Sequence, residues 1–131
     1  MRSALLAALL LLVSAAGAQM ENPVLGEWDW KPLQGVCPER HSYRADGTAS
    51  TRSGDEQLEK RYRIEKLSGD LWRVDAEVLS SNGGKDCLGK PTAVGARSTV
   101  FVMPQNFGGY LTCANEDGMS CYGTARPVRK P

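Results

Sequence analysis

The chain has 131 residues, with 16 Lys and Arg against 15 Asp and Glu, a formal net charge of +1. Such a balance announces no basic face, which argues against nucleic acid or a polybasic membrane contact as partner. The length is that of one domain, with a core small enough to need bracing.

Residues 1–18 read as a secretory signal peptide. Arg2 supplies the positive start, Ala4 to Val13 an unbroken apolar run, and Ala16-Gly17-Ala18 the small residues a signal peptidase reads. The run is shorter than the roughly 20 apolar residues that span a bilayer. Cleavage after Ala18 exposes Gln19, which offers no cysteine for lipidation. It also removes Arg2 and leaves 15 positive against 15 negative side chains, a formally neutral mature chain. The expectation is a periplasmic or secreted protein with no stable membrane insertion after cleavage.

The folded part, residues 19–125, opens on Gly26 to Pro38. This stretch carries Trp28 and Trp30 on one strand face, then a loop that reaches Cys37. One indole is expected to close the base of the fold and the other to line its interior. Residues 41–45 alternate His41, Tyr43 and Ala45 against Ser42 and Arg44. Asp46-Gly47 follows as a hairpin signal, and Thr48 to Ser53 returns as a strand.

Asp55 to Leu67 is composed of good helix formers, and Leu58 and Tyr62 stand at helical spacing. Yet Leu58, Lys60, Tyr62 and Ile64 also alternate with charged residues. Ser68-Gly69-Asp70 then leads into a second alternating run, so a strand is expected. In that run, Leu71 to Ser80, Trp72, Val74, Ala76 and Val78 face one side. Thr99 to Val102 form a β-branched and aromatic core of a strand over 97–103 that Pro104 stops. Tyr110 to Cys113 and Ser120 to Thr124 are two short strands around the Asn115-Glu116-Asp117-Gly118 turn. Residues 126–131 read as a flexible tail. About eight short strands separated by Gly-containing turns predict an all-β fold, a small antiparallel up-and-down β-barrel.

All four cysteines, Cys37, Cys87, Cys113 and Cys121, follow the cleavage site, where disulfides form. Close pairs of the zinc-site kind are missing, so no metal is expected. Four cysteines allow three pairings, and spacing does not choose among them. The turn cluster between Cys113 and Cys121 favours that pair, which leaves Cys37 with Cys87.

Gly26-x-Trp28 looks like the Gly-x-Trp signature of lipocalin-type barrels. The order of Cys37-Pro38-Glu39, Tyr43-x-x-Asp46-Gly47-Thr48, Asn82-Gly83-Gly84-Lys85-Asp86-Cys87-x-Gly89 and Cys113 to Cys121 resembles a group of small exported bacterial proteins of unknown function with lipocalin-like architecture. The resemblance implies a fold and a compartment rather than an activity. A second likeness, to periplasmic inhibitors of bacterial metalloproteases, rests on the same opening strand.

No enzyme or cofactor is expected. The sole histidine, His41, reads as structural. Glu56, Glu59 and Glu65 read as a solvated face. Asn115 to Gly118 lacks the spacing of a calcium loop, and Gly83-Gly84 lacks the strand–helix setting of a phosphate loop. The expected role is a binding or interaction protein, its partner an envelope protein or a small apolar ligand held by Trp28, Trp30, Tyr43 and Trp72. The alternatives are an apolar-ligand carrier and an inhibitor of an exported metalloprotease or lysozyme. The inhibitor reading would use an exposed segment, Gln19 to Leu25.

Overall fold

The computed structural model describes residues 21–129. The predicted leader, its predicted cleavage site and the last two residues of the predicted tail lie outside them. Eight antiparallel strands run in chain order: β1 (Gly26–Pro32), β2 (Glu39–Tyr43), β3 (Thr48–Ser53), β4 (Glu56–Ser68), β5 (Leu71–Ser81), β6 (Arg97–Pro104), β7 (Tyr110–Cys113) and β8 (Cys121–Pro127). Each pairs with its sequence neighbour, and β8 pairs back onto β1 to close the barrel. Closure removes the free edges an open sheet would present.

The segment of strong helix formers is strand throughout. In β4 the alternation puts Leu58 and Tyr62 in the interior, as it does Val74 and Trp72 in β5, while Arg61 pairs with Glu77 outside at 3.0 Å. Burial on one face outweighs helix propensity, a difference of only a few tenths of a kcal/mol per residue for such side chains. The Asp46-Gly47 signal also forms as read. Gly47 takes a positive φ, and Asp46 Oδ1 accepts from the Thr48 amide at 2.9 Å.

Several boundaries differ from the expected ones, among them that Pro104 closes β6 from within it, opposite Tyr110. β2 begins at Glu39 and ends at Tyr43, so Glu39 enters the ladder opposite Trp30. β8 runs to Pro127, so Arg126 and Pro127, expected in the tail, lie opposite Asp29 and Trp28. The segment before β1 is not a free arm either. Val24 is fully buried, its carbonyl accepts from Trp28 Nε1 at 2.7 Å, and Asn22 donates to the Tyr62 hydroxyl at 3.0 Å. These bonds seat residues 22–24 as a plug at the end of the barrel where β1 starts.

Two disulfides, Cys37–Cys87 and Cys113–Cys121, join the four cysteines. The first ties the β1–β2 loop to the long β5–β6 loop. The second staples the two ends of the β7–β8 turn.

Gly123 on β8 is required by a close approach, since a Cβ there would overlap the Trp30 indole. Gly123→Ala is therefore expected to displace that ring and cost roughly 1–3 kcal/mol by overpacking. Urea unfolding followed by tryptophan fluorescence reads both effects.

Candidate functional site

The inward faces divide the barrel into two parts. Towards the plugged end, aromatic side chains fill the space. Trp28 meets Tyr110 edge-to-face at 4.9 Å, and Tyr43 meets Tyr62 in the same way at 4.9 Å. Towards the other end the filling stops, and a cavity of about 340 Å³ remains. Close-packed interiors leave few voids larger than a water molecule, so this volume is a departure from ordinary core packing. It falls in the range of small-molecule sites, about 300–1,000 Å³.

Its walls are mixed. β5 and β6 contribute Val74, Val78, Val100 and Val102, and β4 contributes Leu58. Opposite them stand polar groups carried on the inward positions of β2 and β4. Glu39 and His41 are two residues apart on one strand, hence on one face, and His41 Nε2 lies 3.0 Å from Glu39 Oε1. The imidazole stacks on Trp30, with ring centroids 5.7 Å apart, and Trp30 Nε1 donates to Thr112 Oγ1 at 3.0 Å. Both rings are thereby fixed in orientation.

On β4, Glu56 and Lys60 share the inward face with Leu58. Glu56 is only 3% exposed. Its carboxylate accepts from the Thr92 amide at 2.7 Å and the Thr92 hydroxyl at 3.1 Å, which draws the β5–β6 loop over this end of the barrel. The expectation of a solvated face holds for exposed Glu59 and Glu65 but not for Glu56. The signal was parity: Glu56 is two residues before Leu58, on the side of the strand that faces inward.

Burial pushes the Glu39 carboxyl up, but the hydrogen bond and charge of His41, the Ser53 hydroxyl and Lys60 together bring it below the usual value. Burial lowers Lys60, while Glu39 and Glu56 favour its charged form. Burial pushes the Tyr43, Tyr110 and Tyr122 hydroxyls up, so they stay protonated and able to donate. The Tyr110 hydroxyl is buried and has no hydrogen-bond partner.

These shifts set an acid limb to stability. A folded-state value below the unfolded one means that Glu39 contributes fully above its unfolded value and loses that contribution as pH falls through the folded one. Asp75, lowered chiefly by the Thr99 hydroxyl, acts in the same sense at the surface. Glu39→Gln is expected to flatten the acid loss of stability. Urea midpoints taken from neutral pH down through the carboxylate range test this, and an unchanged slope would refute it.

Of the four aromatic ligand candidates, Trp30 and Tyr43 line the cavity. Trp28 and Trp72 belong to the packed core outside its lining. The polar half, Glu39, Glu56, Lys60 and Thr92, was not singled out from the sequence. No group of three or more metal-binding side chains gathers among the described residues. A wider surface depression of about 660 Å³ lies beside β2 and β3. Several of the charges there engage each other, since Arg44 donates to Thr48, Ser50 and Glu59 and Arg40 pairs with Asp29. The interior cavity is therefore the stronger candidate. No protein family, curated protein or solved structure matches this chain.

Proposed function

We propose that this protein is an exported, disulfide-braced binding protein of lipocalin-like type that holds one small molecule inside its barrel. The observation that carries this reading is the cavity itself, an unfilled volume flanked by fixed aromatic rings and by polar groups two strands deliver to one side. The predicted leader and the two disulfides support an oxidising compartment outside the cytoplasm. The lining favours an amphiphilic ligand over a purely apolar one. The inhibitor alternative is weakened, because residues 22–24 plug the barrel instead of extending from it.

Native mass spectrometry of the protein purified gently from the envelope fraction of its host tests the reading. A discrete small-molecule adduct supports it. A stoichiometric protein complex with an empty barrel would replace it with an interaction role. The mass of the denatured chain reports cleavage after Ala18 in the same experiment.

One observation favours a second reading. His41 is held by Glu39 and faces a cavity that also contains Lys60, the arrangement of a positioned general base. Catalysis requires that a metabolite of the host extract be consumed by the wild type and not by His41→Gln. Recovery of the same unaltered adduct from both proteins would leave binding as the role.

A further inference from the structure

We infer that the cavity takes a small organic carboxylate, with the carboxylate on Lys60 Nζ and the apolar body against the valine wall of β5 and β6. This inference rests on the reading of the barrel as a small-molecule binder and names the ligand class.

Several of the polar groups in the lining are already used. Glu39 is engaged by His41 at 3.0 Å. Glu56 is engaged twice by Thr92, through its amide and its hydroxyl. The Trp30 N–H is engaged by Thr112. Lys60 lies on the same inward face, and among the described residues no carboxylate reaches ion-pair distance of its Nζ. The Tyr110 hydroxyl, in the lining of the same cavity, is buried and unpartnered.

Donor capacity is therefore left over at Lys60, and the Tyr110 hydroxyl can meet either a donor or an acceptor. An ammonium has three N–H donors and no acceptor. The complementary ligand supplies acceptors, and a carboxylate supplies the most per unit volume and bears the opposite charge. An amine would place like charges together at low dielectric. An alcohol would fill the same wall but offer Lys60 a single neutral oxygen. The two glutamates favour the charged form of Lys60 from beyond ion-pair distance and leave its N–H donors open to a ligand oxygen. The second half of the ligand is set by Val74, Val100 and Val102, an apolar wall bordered by Ser98 of β6.

The test uses three probes of equal chain length, octanoate, octanol and octylamine, titrated calorimetrically into the oxidised, leaderless protein, with tryptophan emission as a second readout. Octanoate is expected to bind tighter than either analogue by roughly tenfold or more, the scale of a charge-assisted hydrogen bond. Lys60→Met is expected to bring octanoate to the level of octanol while leaving octanol unchanged, and Lys60→Arg to keep the preference. Octanol or octylamine binding as tightly as octanoate would overturn the carboxylate inference and leave the binding barrel standing. Retention of the octanoate preference in Lys60→Met would overturn it too. Binding of none of the three probes would remove the small-molecule reading itself. The wild-type comparison decides the question even where a variant fails to fold.

Discussion

Replacing Cys37 and Cys87 together by serine is expected to destabilise the barrel by about 4 kcal/mol, and replacing Cys113 and Cys121 by about 2.5 kcal/mol, on the loop-entropy model. The difference comes from the spans closed, 50 residues against 8. The first loss corresponds to a fall in melting temperature of roughly 15 °C or more for a domain of this size. The long bridge also does something local that the short one does not. It holds Cys87, whose amide donates to Ser53 Oγ at 3.3 Å, and it fixes the β5–β6 loop that carries Thr92 across the cavity end. Gly54 sits against the backbone of residues 85–87 with no room for a Cβ, so this loop is packed as well as tethered. Calorimetry on the oxidised proteins separates the two bridges. An equal or larger loss from the Cys113/Cys121 pair would contradict the argument. Binding of a cavity ligand is expected to weaken more in the Cys37/Cys87 variant, because that bridge restrains the loop carrying Thr92, whereas Cys113–Cys121 joins two lining strands that the ladder already pairs.

Much of this architecture was legible because two-residue alternation and turn chemistry are local. Trp72, Val74, Ala76 and Val78 declare one buried face of β5 without reference to any partner. Asp46-Gly47 fixes a hairpin within a few residues, and the Asn115 to Gly118 turn brings Cys113 and Cys121 together. The site was legible only in part. Trp30 and Tyr43 stand out as aromatics on inward positions, and both line the cavity. Trp28 and Trp72 stand out equally, yet depth along the barrel separates them from it, and depth is set by strand stagger that no single strand encodes. Glu39 was hidden by its position after Cys37-Pro38, which reads as loop. Its partner across the ladder, Trp30, lies on another strand. Lys60 shows its inward parity plainly. What the sequence does not show is that the closing of the sheet brings it near Glu39 of β2 and Glu56 of its own strand. Charged residues are placed outside by default, and that default fails where a binding cavity needs them inside.

The sharpest consequence of that failure is a contrast between two glutamates three residues apart. Glu59 makes the shortest ion pair among the described residues, 2.6 Å to Arg44, and also accepts from Ser50 at 2.8 Å. Its side chain is 53% exposed, and exposed pairs contribute roughly 0–1 kcal/mol because water competes for both partners. Glu56 makes no ion pair of comparable length. It is buried, and it satisfies an amide and a hydroxyl that have turned away from solvent to reach it. Removing it strands the Thr92 amide and takes a counter-charge from Lys60. Glu56→Ala is therefore expected to cost about 3 kcal/mol, the sum of lost charge-assisted bonds and an unmet buried donor, against less than about 1 kcal/mol for Glu59→Ala. Urea unfolding of the two single variants decides between distance and burial as the measure of an interaction. Equal losses would mean that the β5–β6 loop is held by its disulfide and packing alone. The predicted asymmetry would place a buried carboxylate at the hinge between stability and site, since the same residue anchors the loop and favours the charged form of Lys60.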